Sequence, residues 1–217
     1  FAFVIYDVNN KLLFIARDRA GEKPLYYYRS RNGIIISSEV KAIYKYSDNR
    51  FTLNKDSLTQ YLTYGYCVDE QTLTNDIEKL SAGSFATYDL ENNNINKKRY
   101  WEIPNYSPIH SEEDIKEELK KLLSLSIKQQ LEADVPVGVL LSGGVDSSLV
   151  TAIAAKQSKS LMTFNLGFNQ NNEFDESSYA NLVAKKYGTK HHQIFSDDIN
   201  FELLHQLAKT LDDPICD

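Results

Sequence analysis

Short apolar runs rich in β-branched and aromatic residues, broken by turn residues, fill roughly the first hundred positions of the chain, and the pattern then switches to the three-to-four spacing of a helix face. Residues 1–7, 11–17, 24–29 and 33–38 are rich in β-branched and aromatic types and read as strands. Asn9-Asn10 and Asn32-Gly33 supply the hairpin turns between them. Residues 39–46 and 54–64 read as short helices, and Asn54 can cap the second by accepting from first-turn N–H groups. A further hairpin is predicted from residues 83–89 and 94–101 across Glu91-Asn92-Asn93. Strands that follow one another in hairpin order predict one antiparallel sheet.

Residues 102–110 hold Pro104 and Pro108 with little periodicity and read as a linker. Beyond it, Ser111 is placed to cap a helix whose first turn carries Glu112, Glu113 and Asp114, where negative charge suits the helix dipole. Ile115, Leu119, Leu122, Leu123, Ile127 and Leu131 then fall on one face. A strand opening at Val137 follows, then a helix after Asp146, a strand at 161–166, a helix at 175–187, a strand at 193–195 and a helix near 201–211. Alternating strands and helices predict an α/β domain with a parallel sheet, so the chain reads as an α+β domain over 1–101 and an α/β domain over 111–217.

The chemistry concentrates in Val137-Gly138-Val139-Leu140-Leu141-Ser142-Gly143-Gly144-Val145-Asp146-Ser147-Ser148. An uncharged run reads as a buried strand of the parallel sheet, and it stops abruptly at a glycine pair. Two glycines let the backbone turn tightly and come close to a ligand, because no Cβ is in the way. The helix that follows aims its free N–H groups and positive dipole end at the turn, which favours an anion. Ser142, Ser147 and Ser148 add hydroxyl donors, and Asp146 can hold a divalent cation beside phosphate oxygens. These properties predict a pyrophosphate-binding loop; a plain glycine turn without a ligand is the competing reading. The run lacks the Lys-Ser/Thr ending of a Walker A loop and the glycine spacing of a dinucleotide fingerprint.

Composition narrows the field of partners. The 217 residues carry 24 Lys and Arg against 30 Asp and Glu, a net charge of −6, with the basic residues scattered, so nucleic acid is not an expected partner. Cys67 and Cys216 lie far apart without metal-ligand spacing and suggest buried thiols in a reducing cytosol. No apolar stretch is long enough for a membrane span and no signal peptide is visible, which together predict a cytoplasmic protein. The chain opens directly on what reads as strand interior and stops just after Pro214, so it reads as a piece of a longer protein.

The loop resembles the S-G-G-x-D-S-[ST] signature of the ATP pyrophosphatases, which adenylate a substrate and release pyrophosphate. Upstream, Arg17-Asp18-Arg19-Ala20-Gly21-Glu22-Lys23-Pro24-Leu25-Tyr26-Tyr27-Tyr28 and Ser37-Ser38-Glu39-Val40-Lys41-Ala42 form a second signature. Physically, Gly21 and Pro24 fix a turn and Asp18 can accept from its backbone. In this order the segments resemble the class II glutamine amidotransferase domain of glutamine-dependent asparagine synthetases. Asp134-Val135-Pro136, Phe174-Asp175-Glu176-Ser177, Gly188-Thr189-Lys190-His191-His192 and Leu211-Asp212-Asp213-Pro214 agree with the same family.

That resemblance implies the later part of an N-terminal-nucleophile amidotransferase domain over 1–101. The first part of an ATP pyrophosphatase (adenine nucleotide alpha hydrolase-like) domain would follow over 111–217. It implies ATP and Mg²⁺, with aspartate and glutamine or ammonia as substrates, a β-aspartyl-AMP intermediate, and a homodimer as one open assembly. Another amide-forming enzyme on this plan, such as a β-lactam synthetase-like protein, and a non-catalytic nucleotide-binding relative are the alternatives.

Carried over by position, residues 142–148 would hold pyrophosphate, Asp146 would ligate Mg²⁺, and Leu141 and Leu166 would touch the nucleoside through backbone groups. For both leucines core packing competes. The family's cysteine nucleophile and its later Ser-Gly-Glu and Lys match nothing within 1–217, so this piece is not expected to make asparagine by itself. Cys67 cannot replace the nucleophile, having no free α-amine. His191-His192 resembles a metal pair, but strand neighbours face opposite sides, so a structural role is expected. Asp175-Glu176 suits a helix start as well as it suits substrate or metal binding, while Asp212, Asp213 and Asp217 could approach the pyrophosphate, though a turn around Pro214 explains them without function. Tyr26, Tyr27 and Tyr28 are expected to put one side in a core and the other at an interface, with Arg17 and Asp18 shaping a contact between domains.

Overall fold

The computed structural model of the chain describes residues 1–47, 50–105, 111–168, 175–196 and 201–211. In chain order its elements are β1 (Ala2–Asp7), β2 (Leu12–Arg17), β3 (Tyr26–Ser30), β4 (Gly33–Ser37), α1 (Val40–Tyr46), α2 (Lys55–Tyr64), β5 (Ile77–Lys79), β6 (Ser84–Asp89) and β7 (Asn94–Arg99). The second half continues with α3 (Glu112–Leu131), β8 (Gly138–Leu140), α4 (Val145–Gln157), β9 (Met162–Phe168), α5 (Ser177–Tyr187), β10 (Lys190–Ser196) and α6 (Phe201–Thr210). Two compact units result, one from residues 1–105 with α6, the other running from α3 through β10. The sequence pattern assigns α6 to the second half, whereas by contacts it groups with the first unit, where the Lys41 ammonium reaches the Thr210 carbonyl.

The first unit holds two antiparallel sheets where the hairpin order predicts one. β1-β2-β6-β7 form the first sheet and β4-β3-β5 the second, so β2 pairs with β6 rather than with its sequence neighbour β3. Arg17 and Asp18 are the reason the chain crosses between sheets. The Arg17 guanidinium donates to the carbonyls of Lys23 (2.8 Å), Leu80 (2.7 Å) and Gly21 (2.6 Å). Asp18 accepts from the N–H groups of Ala20, Glu22 and Lys23 at 3.0–3.1 Å. Three carbonyls and three N–H groups in and around this turn are thus paired by one cation and one anion. Within their own unit the two residues shape the turn between the sheets.

Burial follows strand alternation. Tyr27 packs with Ile15, Leu25, Leu80 and Ala86, while Tyr26 and Tyr28 pack on the opposite side with Val40, Ile43 and Ile77. Both sides of the tyrosine run are thus core, contrary to the expected core-and-interface split. Lys97 on β7 ties the two sheets together, reaching Glu70 (2.5 Å), Glu78 (2.8 Å) and the Tyr27 hydroxyl (3.0 Å). Burial alone pushes the Lys97 ammonium down, but Glu70 and Glu78 reverse this and hold it above the ordinary lysine range.

The second unit is a three-stranded parallel sheet, β8-β9-β10, joined by two crossover helices. Ser111 and Asp114 form a complete capping box at α3. Of the expected α3 stripe only Ile127 is buried, against Ala154 and Leu161, while Ile115, Leu119 and Leu122 are about half exposed. α4 and α5 pack on one sheet face. On the other, Leu140 is 81% exposed with Leu166 and Ile194 also open, so β8 is not the fully buried strand its apolar run predicts. Its period-two alternation is the cause, since only Val139 points at the helices.

Burial pushes the Asp18 carboxyl up, yet the N–H bonds from Lys23 and Glu22 outweigh it and hold the group well below the usual carboxylate range. A depressed folded pKa adds stability that is present above the unfolded value near about 4 and is lost as pH falls through the folded value. Asp18→Asn should therefore lower Tm at pH 7 by about 2–6 °C. The gap to the parent should shrink as thermal denaturation is repeated below about pH 4. A gap that stays constant down to pH 2 would show that the charge is not what holds the turn.

Candidate functional site

The parallel strand β8 delivers the chain into a loop that turns directly into α4. Leu141, the last residue before the loop, is 1% exposed and packs on Ala180 and Ala184 of α5. Its N–H donates to the Phe164 carbonyl (2.7 Å), and its carbonyl accepts from the Asn165 side chain (3.1 Å). The loop then passes hard against α5. A Cβ on Gly143 would meet the Ala180 nitrogen and the Tyr179 Cβ at 2.5 Å, and Gly143 has φ +92°. Only glycine fits there without displacing backbone.

Hydroxyls hold the loop in shape. The Gly143 N–H donates to Ser147 Oγ (3.2 Å) and the Gly144 N–H to Ser142 Oγ (3.3 Å). The two serine oxygens lie 2.9 Å apart, and Ser147 Oγ also donates to the Gly144 carbonyl. Gly144 is the N-cap of α4 without a side-chain cap, so Val145, Asp146 and Ser147 present first-turn N–H groups that the helix itself cannot satisfy. Ser148 makes the first helical bond back to the Gly144 carbonyl. Asp146 is exposed in that first turn, where the dipole favours its charge. Donors, hydroxyls and one carboxylate thus converge at the carboxyl end of a parallel strand, the place where α/β sheets bind ligands.

Residues 118–217 match the family model described as asparagine synthase, and residues 1–101 match the model described as glutamine amidotransferase domain. The chain thus carries matches to both models, amidotransferase first and asparagine synthase second. It is 36% identical over 221 residues to a protein of Methanocaldococcus jannaschii named as a glutamine-hydrolysing asparagine synthetase, covering 100% of this chain and 42% of that one. Against asparagine synthetase 1 of Bacillus subtilis it is 32% identical over 219 residues, covering 100% of this chain and 34% of that one. The amidase chyE of Penicillium rubens is 29% identical over 217 residues, covering 91% of this chain and 31% of that one. The chain thus spans less than half the length of these relatives.

The other residues singled out by type lie outside residues 142–148. Leu141 is core, with both backbone polar groups engaged within the chain. Leu166 is 57% exposed near the carboxyl end of β9. His191 and His192 point to opposite faces: His191 Nδ1 meets the Thr163 hydroxyl (2.9 Å), while His192 stacks on Phe164 at 5.2 Å. Burial and the neighbouring His192 push the His191 imidazole down, toward the neutral form. Asp175 accepts from the Ser177 N–H and hydroxyl in a local turn ahead of α5, whose N-cap Glu176 has no side-chain cap. Cys67 is buried with its Sγ 3.9 Å from the Ser57 carbonyl. Among the described residues no three His, Cys, Asp or Glu converge as a metal cluster, and no helix is long and apolar enough to cross a membrane. Asp212, Asp213, Cys216 and Asp217 lie outside the described residues.

Asn165 is the residue that sequence reasoning misses. It stands inside an apolar strand, and its partner lies 24 residues away, so no local signal marks it.

The geometry separates the two loop glycines. Gly143→Ala forces strain or a backbone shift of about 1–3 kcal/mol, whereas Gly144 has negative φ and only Ser142 Oγ at 3.4 Å near its Cβ position. Thermal denaturation of both variants should show the larger loss for Gly143→Ala. Equal Tm values would mean that the close approach to α5 is not rigid.

Proposed function

We propose that the intact protein makes asparagine from aspartate, glutamine and ATP, and that the loop at residues 142–148 binds the pyrophosphate. The observation that carries this reading is the strand–loop–helix geometry of that loop inside a chain matching amidotransferase and asparagine synthase models in that order. The amidotransferase domain (residues 1–101) would release ammonia from glutamine, leaving glutamate. In the synthetase domain (residues 111–217) an aspartate β-carboxylate oxygen would attack the α-phosphorus of ATP, forming β-aspartyl-AMP and breaking the bond to pyrophosphate. Ammonia would then attack the acyl carbon, giving asparagine and AMP. Adenylation is needed because a carboxylate is a poor electrophile without a good leaving group.

This chain's part in that scheme is electrostatic. The N–H groups of Gly143, Gly144 and the first turn of α4 face the charge that develops on the departing pyrophosphate, with Ser142, Ser147 and Ser148 hydroxyls beside them. Leu166, open near the carboxyl end of β9, would touch the nucleoside, while Leu141, with both backbone groups engaged, would serve by placing the loop. Mg²⁺ fits the donor set. It is commonly held by one or two carboxylates plus substrate phosphates, and one exposed carboxylate, Asp146, stands at the loop, with no cluster of three ligating side chains among the described residues. Bound there, the ion would neutralise charge on the phosphate oxygens.

A second reading on the same plan takes a different carboxylic acid as acceptor; the likeness to a protein named as an amidase shows that similar sequence occurs under another activity name. Pyrophosphate release by the intact protein, measured across a panel of carboxylic acids, separates the two. Stimulation by aspartate is expected, and release indifferent to aspartate would overturn the substrate assignment. Asp146→Asn should cut aspartate-dependent pyrophosphate release by roughly 10²-fold or more while glutamine hydrolysis stays within about twofold. Equal loss of both activities would make Asp146 a structural residue.

A further inference from the structure

Asn is a poor strand former, yet Asn165 sits in the middle of β9 between Phe164 and Leu166 and is only 7% exposed. Its Nδ2 donates to the Leu141 carbonyl at 3.1 Å. The neighbouring Phe164 carbonyl accepts the Leu141 N–H at 2.7 Å. Consecutive residues of β9 therefore hold both polar groups of the last residue before the loop, one through backbone and one through a side chain.

That division of labour has a geometric consequence. Pairing of β8 with β9 ends at Leu140 opposite Phe164, because the chain must leave the sheet to enter the loop. A departing strand would ordinarily leave a carbonyl unpaired in a buried place, at a cost of about 1–3 kcal/mol. The Asn165 carboxamide supplies the missing rung and lets the backbone diverge. Leu141 is also pinned by its side chain against Ala180 and Ala184, and Gly143 lies against the Ala180 nitrogen two residues later. A shift at Leu141 is thus passed directly to Ser142 and Gly143.

The other end of the carboxamide is a cost that an apolar residue would avoid. Asn165 Oδ1 is buried with no hydrogen-bond partner among the described residues. Buried unsatisfied acceptors are uncommon and destabilising, so a side chain kept for stability alone would not need this arrangement.

We propose that Asn165 is a positioning residue for the anion loop: by holding the Leu141 carbonyl it sets where Ser142 and Gly143 stand, and thereby the affinity for the triphosphate of ATP. The proposal rests on the reading of residues 142–148 as a pyrophosphate site. It assigns Asn165 no contact with substrate.

The test uses the intact protein, with ATP as the probe and aspartate-dependent pyrophosphate release as the assay. Asn165→Leu keeps the size and removes the donor. It should raise the KM for ATP roughly tenfold while kcat at saturating ATP stays within about threefold. Asn165→Asp can reach the Leu141 carbonyl only when its carboxyl is protonated, so its KM should approach the parent's as pH is lowered from 8 to 6. Thr163→Val, on the same strand face and 0% exposed, removes the hydroxyl that meets His191 and should lower Tm while leaving the ATP KM unchanged. Should Asn165→Leu fail to fold, Asn165→Ser, too short to span the gap, carries the same test. Parent-like KM values in the Asn165 variants, or an equal rise in Thr163→Val, would overturn the positioning role. Failure of the parent to bind ATP at all would overturn the pyrophosphate-loop reading as well.

Discussion

Two glycines let α5 lie directly on the carboxyl edge of the parallel sheet, and the second unit is organised around that approach. At Gly143 a methyl group would sit 2.5 Å from the Ala180 nitrogen, and at Gly167 it would sit 2.5 Å from the Ser177 hydroxyl. The helix answers with small buried residues at Ser177, Ala180 and Ala184. Close-packed backbones leave little room for slippage, because interiors at this density transmit displacement rather than absorb it. The position of the loop, the entry of α4 and the burial of Leu141 all follow from how near α5 can come.

Local chemistry was legible in the sequence, and long-range chemistry was not. Asn54 caps α2 by accepting from Asp56 and Ser57, and Ser111 builds its box with Asp114, because caps involve neighbours a few residues apart. The turn between β8 and α4 was equally plain, since paired glycines after an apolar run mark a tight turn into a helix. β5, with three residues, is too short to show alternation and went unseen. The division into two antiparallel sheets depends on Arg17 reaching Leu80 across 63 residues, which no window of sequence displays. Asn165 escaped for the same reason. The exposure of Ile115 and Leu119 shows the converse: periodicity identified the helix face without saying what, within this unit, would cover it.

The first unit solves a different problem with the same economy of parts. Its turn between sheets is rich in backbone polar groups and poor in regular hydrogen bonds, so one guanidinium and one carboxylate bind them from opposite ends. Lys97, placed between Glu70 and Glu78, joins the sheets where Tyr27 brings its hydroxyl to the same spot. Such charged links gain relative to apolar burial on heating, because the cost of stripping water from ions falls with temperature. Breaking one partner would leave the others charged and only partly hydrated.

The serines of the loop have a consequence for how an anion would be recognised. Gly143 and Gly144 already give their protons to Ser147 and Ser142, so a phosphate oxygen arriving at those amides replaces a hydroxyl instead of filling a bare donor. The number of hydrogen bonds then changes little on binding. What does change is charge: neutral oxygens give way to anionic ones at the positive end of α4. Affinity built on such an exchange draws on the field of the helix more than on new contacts, and counter-ions in solution compete for that field. The loop would grip its ligand like an ion exchanger, weakening as ionic strength rises.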